Sequence, residues 1–310
     1  MYLCGKLGKY QEMNNNTRLN KWEKGISYEV AFWNNVYRWN HTFKGLMGWS
    51  HYGKEILLED FDANSFLKER EHPTVLDVGC GMSYATGNHV CDAGVLTPID
   101  IHYIDPLADY FNQILKRHHR SLPAIEFGMV EYLSSIYTDH NADLIIIQNA
   151  LDHSANPIKG IAEAINVLKD DGILYLNHHP NEAEKEHYKG FHQYNITQEA
   201  GHLIIWNKNE RWDINELLSE FASVKVSTHQ NGHIIAIISR TGALTSGLLD
   251  YQQDIRDLVE SMMYMSKEHH NIGRTLHFKL QYWIFNLIQF IAQGLPWKFK
   301  MFVKSIIKQA

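Results

Sequence analysis

The 310-residue chain reads as an α/β protein, a mostly parallel β-sheet with helices on both faces, closed at one edge by an antiparallel hairpin. Three observations predict this. Short apolar runs alternate with helical patterns between residues 74 and 176. The first run, Thr74-Val75-Leu76-Asp77-Val78, opens directly onto Gly79-Cys80-Gly81. Gln230-Asn231-Gly232 separates two β-branched runs, residues 224–228 and 233–239, and an Asn-Gly in that position is a strong hairpin signal.

Taken in order, the polar, Asn-rich residues 1–24 read as a loose arm ending in a short helix, and the aromatic-dense residues 26–66 as helices that pack on something larger. Strands follow at 74–78, 99–104, 124–127, 142–148 and 172–176, with helices over 107–117 and 157–168. In the second helix Ile158, Ile161, Ile165 and Leu168 recur at helical spacing. Residues 178–210 break the alternation. They are rich in His, Asn, Glu and aromatics and contain one strand candidate, residues 203–206. A helix over 214–221 precedes the hairpin, and residues 248–265 and 276–308 read as helical. The expected organisation is an N-terminal helical cap (1–70), a core (71–242) with a polar insertion (178–210), and a helical C-terminal extension (243–310).

Composition narrows the function. With 45% hydrophobic and 21% charged residues the chain can bury a sizeable core. A net charge of −6 argues against a general nucleic-acid binder. Three scattered cysteines (Cys4, Cys80, Cys91) make neither a disulfide framework nor a zinc cluster, and a reducing, cytoplasmic compartment is expected. Neither a signal peptide nor a transmembrane run is read. Oligomeric state is not legible.

Chemistry concentrates first in the glycine loop. Glycines after a strand let backbone N–H groups approach a ligand closely. A nicotinamide dinucleotide fingerprint would need a third glycine where Tyr84 stands. Asp77, just before the glycines, can hydrogen-bond the loop or face an ammonium group of a cofactor. Asp105, at the tip of the second parallel strand and followed by Pro106, can accept both hydroxyls of a ribose. Alternatively Asp77 merely caps the loop and Asp105 begins a helix.

On these residues the sequence resembles the class I S-adenosylmethionine-dependent methyltransferases, over about residues 74–178 and more loosely to the hairpin. The resemblance implies a Rossmann-like methyltransferase fold with S-adenosyl-L-methionine as cofactor. Asp77, Gly79, Cys80 and Gly81 fall in its first motif, with Ser83 where a third glycine is common, and Asp105-Pro106 in its second. Gly128-Met129-Val130-Glu131 occupies the third, with Met129 where an aspartate usually meets the adenine amino group, so adenine is left to backbone and apolar contacts or to Glu131. Residues 143–149, ending in Asn149, match the fourth, and residues 167–172 match the helix-to-strand turn.

Asp152-His153 follows the fourth-strand tip, where the transferred methyl group is expected to point. His153 is the candidate general base with Asp152 beside it; the competing reading is a histidine that only shapes the cofactor pocket. The insertion supplies the candidate acceptor contacts His178, His179, Asn181, His192, Gln193 and Trp206, planar hydrogen-bonding groups and rings that suit a polyhydroxylated ligand. Asp105-Pro106-Leu107-Ala108, Asn149-Ala150-Leu151-Asp152-His153 and Gly190-Phe191-His192-Gln193-Tyr194-Asn195 are similar to segments of a methyltransferase branch associated with bacterial surface-polysaccharide synthesis. That likeness implies O-methylation of a glycan or sugar-nucleotide hydroxyl. A metal on His178, His179, Glu182 and His192 competes, but the spacing fits no standard motif, so no metal is expected. A small-molecule or protein N-methyltransferase, or a silent cofactor-binding scaffold, stand as alternatives.

The tail differs electrically from the body. Residues 267–310 carry seven Lys/Arg and one Glu, +6, which leaves −12 for residues 1–266. Leu276, Leu280, Trp283, Ile284, Leu287 and Ile291 form one apolar stripe; Phe299, Phe302, Val303, Ile306 and Ile307 form another among lysines. Either these pack on protein or they lie peripherally on an anionic membrane at its inner face.

Overall fold

The computed structural model describes residues 2–38, 50–137, 141–242, 253–267 and 276–294. Its centre is a seven-stranded sheet built from β1 (Thr74–Val78), β4 (Asp100–Asp105), β5 (Glu126–Phe127), β6 (Ala142–Gln148), β7 (Leu168–His178), β11 (Ala222–Thr228) and β12 (Ile234–Arg240), in the order β11-β12-β7-β6-β1-β4-β5. The pairs β5–β4, β4–β1, β1–β6 and β6–β7 are parallel, while β12 runs antiparallel to both β7 and β11. This is the expected Rossmann-like methyltransferase architecture. The long apolar runs follow from burial on both faces. Leu76, Val78, Ile145 and Ile147 join one core with α5 (Pro157–Val167), and the alternate residues Val75, Leu144, Ile146 and Tyr175 join the opposite one.

Several elements differ from expectation. Residues 2–38 form one helix, α1 (Tyr2–Arg38), not a loose arm. No proline interrupts it, and Trp22, Ile26, Val30, Val36 and Tyr37 give it a buried face that outweighs the low helix propensity of its asparagines. Gly25 in its middle is a packing position, since a Cβ there would come within 2.5 Å of the Phe191 ring. A hairpin of β2 (His89–Asp92) and β3 (Val95–Pro98) turns at Ala93-Gly94, both with positive φ, before β4. The third parallel strand shrinks to Glu126–Phe127. The insertion contains a three-stranded antiparallel sheet, β8 (Asn195–Glu199), β9 (His202–Trp206) and β10 (Arg211–Asp213), where one strand is legible in sequence. Its extra strands are short and polar, with little apolar alternation to reveal them.

Two C-terminal helices, α8 (Gln253–Lys267) and α9 (Leu276–Gly294), pack beside α1. Trp22 Nε1 donates to Ser266 Oγ at 3.0 Å, and Asn35 Nδ2 donates to Asn286 Oδ1 at 2.9 Å. The stripe Leu276, Leu280, Trp283, Ile284, Leu287 and Ile291 stands on the other side of α9 and is exposed, Trp283 by 62%. The second, lysine-flanked stripe lies outside the described residues. Among the described residues no helix is long and apolar enough to cross a membrane.

Candidate active site

Strand order reverses on either side of β1, with β4 next on one side and β6 on the other, and a crevice at the carboxyl ends of the strands is the consequence. A cavity of about 730 Å³ occupies it, within the range of small-molecule sites. Gly79 (φ +68°) and Gly81 (φ +55°) form its floor in the left-handed region. A Cβ on Gly79 would lie 2.3 Å from Ala150 Cβ, and one on Gly81 3.0 Å from the Trp33 ring, so the loop is cut to glycine on both sides.

Asp105 lines the cavity beside this loop. Its Oδ2 accepts the Gly81 N–H (3.0 Å) and its Oδ1 the Leu107 N–H (2.8 Å). A carboxylate oxygen has two lone-pair sites, so each retains one for a ligand. Burial pushes this carboxyl up to about 6 against the pull of those two N–H groups. Cys80, Pro106, Met129, Val130, Glu131 and Asn149 also line the cavity. Glu131 Oε1 is occupied by the N–H groups of Ala155 (2.6 Å) and Asn156 (3.0 Å), which ties it to the loop before α5. Asn149, at φ +48°, accepts the His179 N–H through Oδ1 at 2.8 Å.

Asp77 is corrected. It does not line the cavity; buried behind the loop, it is hydrogen-bonded to Thr86, and burial lifts it to about 7. Tyr84, where a dinucleotide fingerprint needs glycine, is turned into the core, its hydroxyl donating to Pro123 O.

The insertion contributes less to the cavity than expected. Of its six predicted acceptor residues only His179 lines it. His178 is buried. Asn181 Oδ1 accepts from Trp206 Nε1 at 3.3 Å, so those two brace each other. Gln193 Nε2 donates to the carbonyls of His153 and Ser154, holding the loop after β6. His192 Nδ1 bonds Asp152 Oδ2 at 2.8 Å.

His153 does line the cavity, with Asp152 buried behind it. They are not an isolated pair: His153 Nε2 is 3.1 Å from His192 Nδ1 and 3.4 Å from Asp152 Oδ2, so this nitrogen is turned into a cluster of three. Burial holds His153 below the usual imidazole range despite Asp152. Burial also opposes ionisation of Asp152, but His153 and His192 outweigh it and bring the carboxyl down to about 2.

Sequence reasoning missed a second acid–histidine pair. Glu59, from the segment before α2 (Ala63–Lys68), and His233, at the turn end of the β11–β12 hairpin, both line the cavity. Glu59 Oε2 faces His233 Nδ1 (3.1 Å) and accepts from Asn177 Nδ2 (3.1 Å), while Oε1 accepts from Asn231 Nδ2 (2.7 Å). The His179 and His233 rings meet edge to face, 4.3 Å apart. From above, α1 supplies Trp22, Glu29 and Trp33 to the wall; desolvation pushes Glu29 up to about 7 against the His192 charge. The only sequence signal for these groups is the aromatic density before residue 66.

Residues 69–216 match the family model of a methyltransferase domain. The chain carries a methyltransferase domain. Its cofactor is S-adenosylmethionine, and the glycine floor, an acid with free lone pairs at the tip of β4 and the apolar Met129–Val130 wall fit that molecule. Among solved structures the methyltransferase resembles DhpI in complex with SAH (15% identity, 72% of this chain and 98% of that one, TM-score 0.39). It also resembles a protein of Methanococcus maripaludis assigned as an S-adenosyl-L-methionine-dependent methyltransferase (15%, 68% and 93%, 0.40). A SAM-dependent methyltransferase of Aquifex aeolicus is a third (17%, 58% and 89%, 0.34). No curated protein matches the sequence.

Proposed function

We propose that this methyltransferase methylates a hydroxyl group of a polyhydroxylated acceptor, a glycan or glycan precursor. The observation that carries the reading is the polar wall of Glu59, Asn149, Asn177, His179 and His233, gathered where β6, β7 and the hairpin end. Such a wall offers donors and acceptors to several hydroxyls at once, with Trp22 and Trp33 as apolar surfaces opposite.

Bound in the cavity, S-adenosylmethionine supplies an electrophilic methyl group. The chain does the rest. Gly79 and Gly81 would admit the cofactor to backbone distance, Asp105 would take its ribose hydroxyls, and Gly128, Met129 and Val130 would hold the adenine. Glu29, on α1, would offer its carboxyl to the cofactor's positive end. A hydroxyl nucleophile must lose a proton, and His233 is assigned as its acceptor in place of His153. The carboxylate at Nδ1 favours the tautomer protonated there and leaves Nε2 with a free lone pair, whereas His153 Nε2 is already committed to Asp152 and His192. Positioning supplies the larger share of the acceleration.

His179→Ala tests the acceptor assignment. It is expected to raise acceptor KM several-fold with cofactor Kd unchanged; a lost cofactor site with unchanged acceptor KM contradicts it.

The exposed α9 stripe, followed in sequence by Lys298, Lys300, Lys304 and Lys308, is assigned to an anionic membrane surface, where each lysine contributes about 1 kcal/mol. Full-length protein is expected to float with anionic liposomes at low salt and to stay behind when truncated after Gly294. If neither form floats, the stripe has another partner.

A further inference from the structure

We infer that Asp152, His153 and His192 form a binding site for one divalent first-row transition ion, with zinc as the best match. The three donor atoms, Asp152 Oδ2, His153 Nε2 and His192 Nδ1, make a triangle with sides of 2.8, 3.1 and 3.4 Å. Such a triangle has a circumscribed radius of about 1.8 Å, so a point about 1 Å off its plane is about 2.0–2.1 Å from all three atoms. That is the bond length of zinc to imidazole nitrogen and carboxylate oxygen. Two imidazoles and one carboxylate select transition ions over magnesium or calcium, which prefer all-oxygen sets.

Hydrogen bonding alone serves the cluster badly. Two ring nitrogens and a carboxylate oxygen converge on one point, and the second Asp152 oxygen, Oδ1, is buried with no hydrogen-bond partner among the described residues. The neighbouring His178 is 2% exposed, and its Nε2 is likewise buried without a partner. Leaving such groups unpaired is costly, and a cation relieves the crowding at the triangle.

The surroundings hold the donors in place before any ion arrives. The backbone N–H groups of Gln193 and Tyr194 both donate to Asp152 O (3.0 and 3.2 Å), and Gln193 Nε2 donates to His153 O. Lys21 Nζ donates to His192 O at 3.0 Å, and Phe191 is wedged between Trp22 and His153. Two loops far apart in sequence are thus locked together at the donor triangle, as hydrogen bonds from surrounding groups lock known metal ligands. His153 also lines the cavity, so the ion would lie one side chain away from the chamber where the acceptor is expected. The site itself does not depend on what that acceptor is.

The test uses tag-free full-length protein purified without chelator. Elemental mass spectrometry should find about one zinc, iron or manganese per chain, and cobalt(II) added to the chelator-treated protein should give visible ligand-field absorption. Asp152→Asn and His192→Gln should each lose the ion and the cobalt spectrum, while His233→Ala keeps both. Where a variant fails to fold, zinc should still raise the Tm of the chelator-treated wild type. A wild type that takes up neither metal nor cobalt and shows no shift in Tm overturns the assignment, as does full metal content in both folded variants.

Discussion

His233→Ala is expected to lower kcat by roughly 10²–10⁴ while cofactor Kd stays near wild type, the usual loss when a positioned general base is removed. The expectation follows from the Glu59–His233 contact at 3.1 Å, which fixes the ring through Nδ1 and leaves Nε2 toward a cavity also lined by Asn177 and His179. Glu59→Gln keeps the shape and removes the charge, so it should reproduce part of the loss. Steady-state kinetics with a fixed acceptor measures both. Full activity in folded His233→Ala moves the proton to another group, with His153 first among them, or points to a nucleophile that needs no base.

Asp105→Ala is expected to weaken S-adenosylmethionine binding by about 1.5–3 kcal/mol, the contribution of a hydrogen bond to a charged group, or roughly 10- to 150-fold in Kd. The same carboxyl predicts a pH dependence. Burial raises it to about 6 from an unfolded value near 3.8, so its contribution to folding stability is complete below 3.8 and is lost as pH rises through 6. Cofactor binding has the opposite sign, because ribose hydroxyls donate best to the ionised form. Affinity should therefore increase about tenfold between pH 5 and pH 7, and Asp105→Asn should flatten the profile. Calorimetry at both pH values checks this; a flat wild-type profile and an unchanged Kd in Asp105→Ala remove Asp105 from the cofactor site.

Much of this was legible in the residues because local and global signals agree. The β1 run ends on glycines that must adopt positive φ, Asp105 sits at the tip of β4, and Asn231-Gly232 turns the hairpin. What was not legible depends on distance in sequence. Nothing about Glu59 announces that it meets His233, 174 residues later, or about Glu29 that α1 lies over the cavity. The insertion misled for a related reason. Several of its polar residues satisfy one another or the backbone, as Asn181 does with Trp206 and Gln193 with the 153–154 carbonyls, and composition cannot separate such internal pairing from a ligand contact. Asp77 stands beside the glycines in sequence, but strand alternation turns it toward Thr86 behind the loop.

The most direct test of the account is the fate of the methyl group. Full-length protein is incubated with S-adenosylmethionine carrying a ¹³C-labelled methyl and a panel of sugar nucleotides and lipid-linked glycans, and the products are read by carbon NMR. The account predicts S-adenosylhomocysteine in step with a methyl ether on a sugar carbon, with both signals lost in His233→Ala. A label found on nitrogen, or no transfer to any polyhydroxylated acceptor by protein that binds the cofactor, would contradict it.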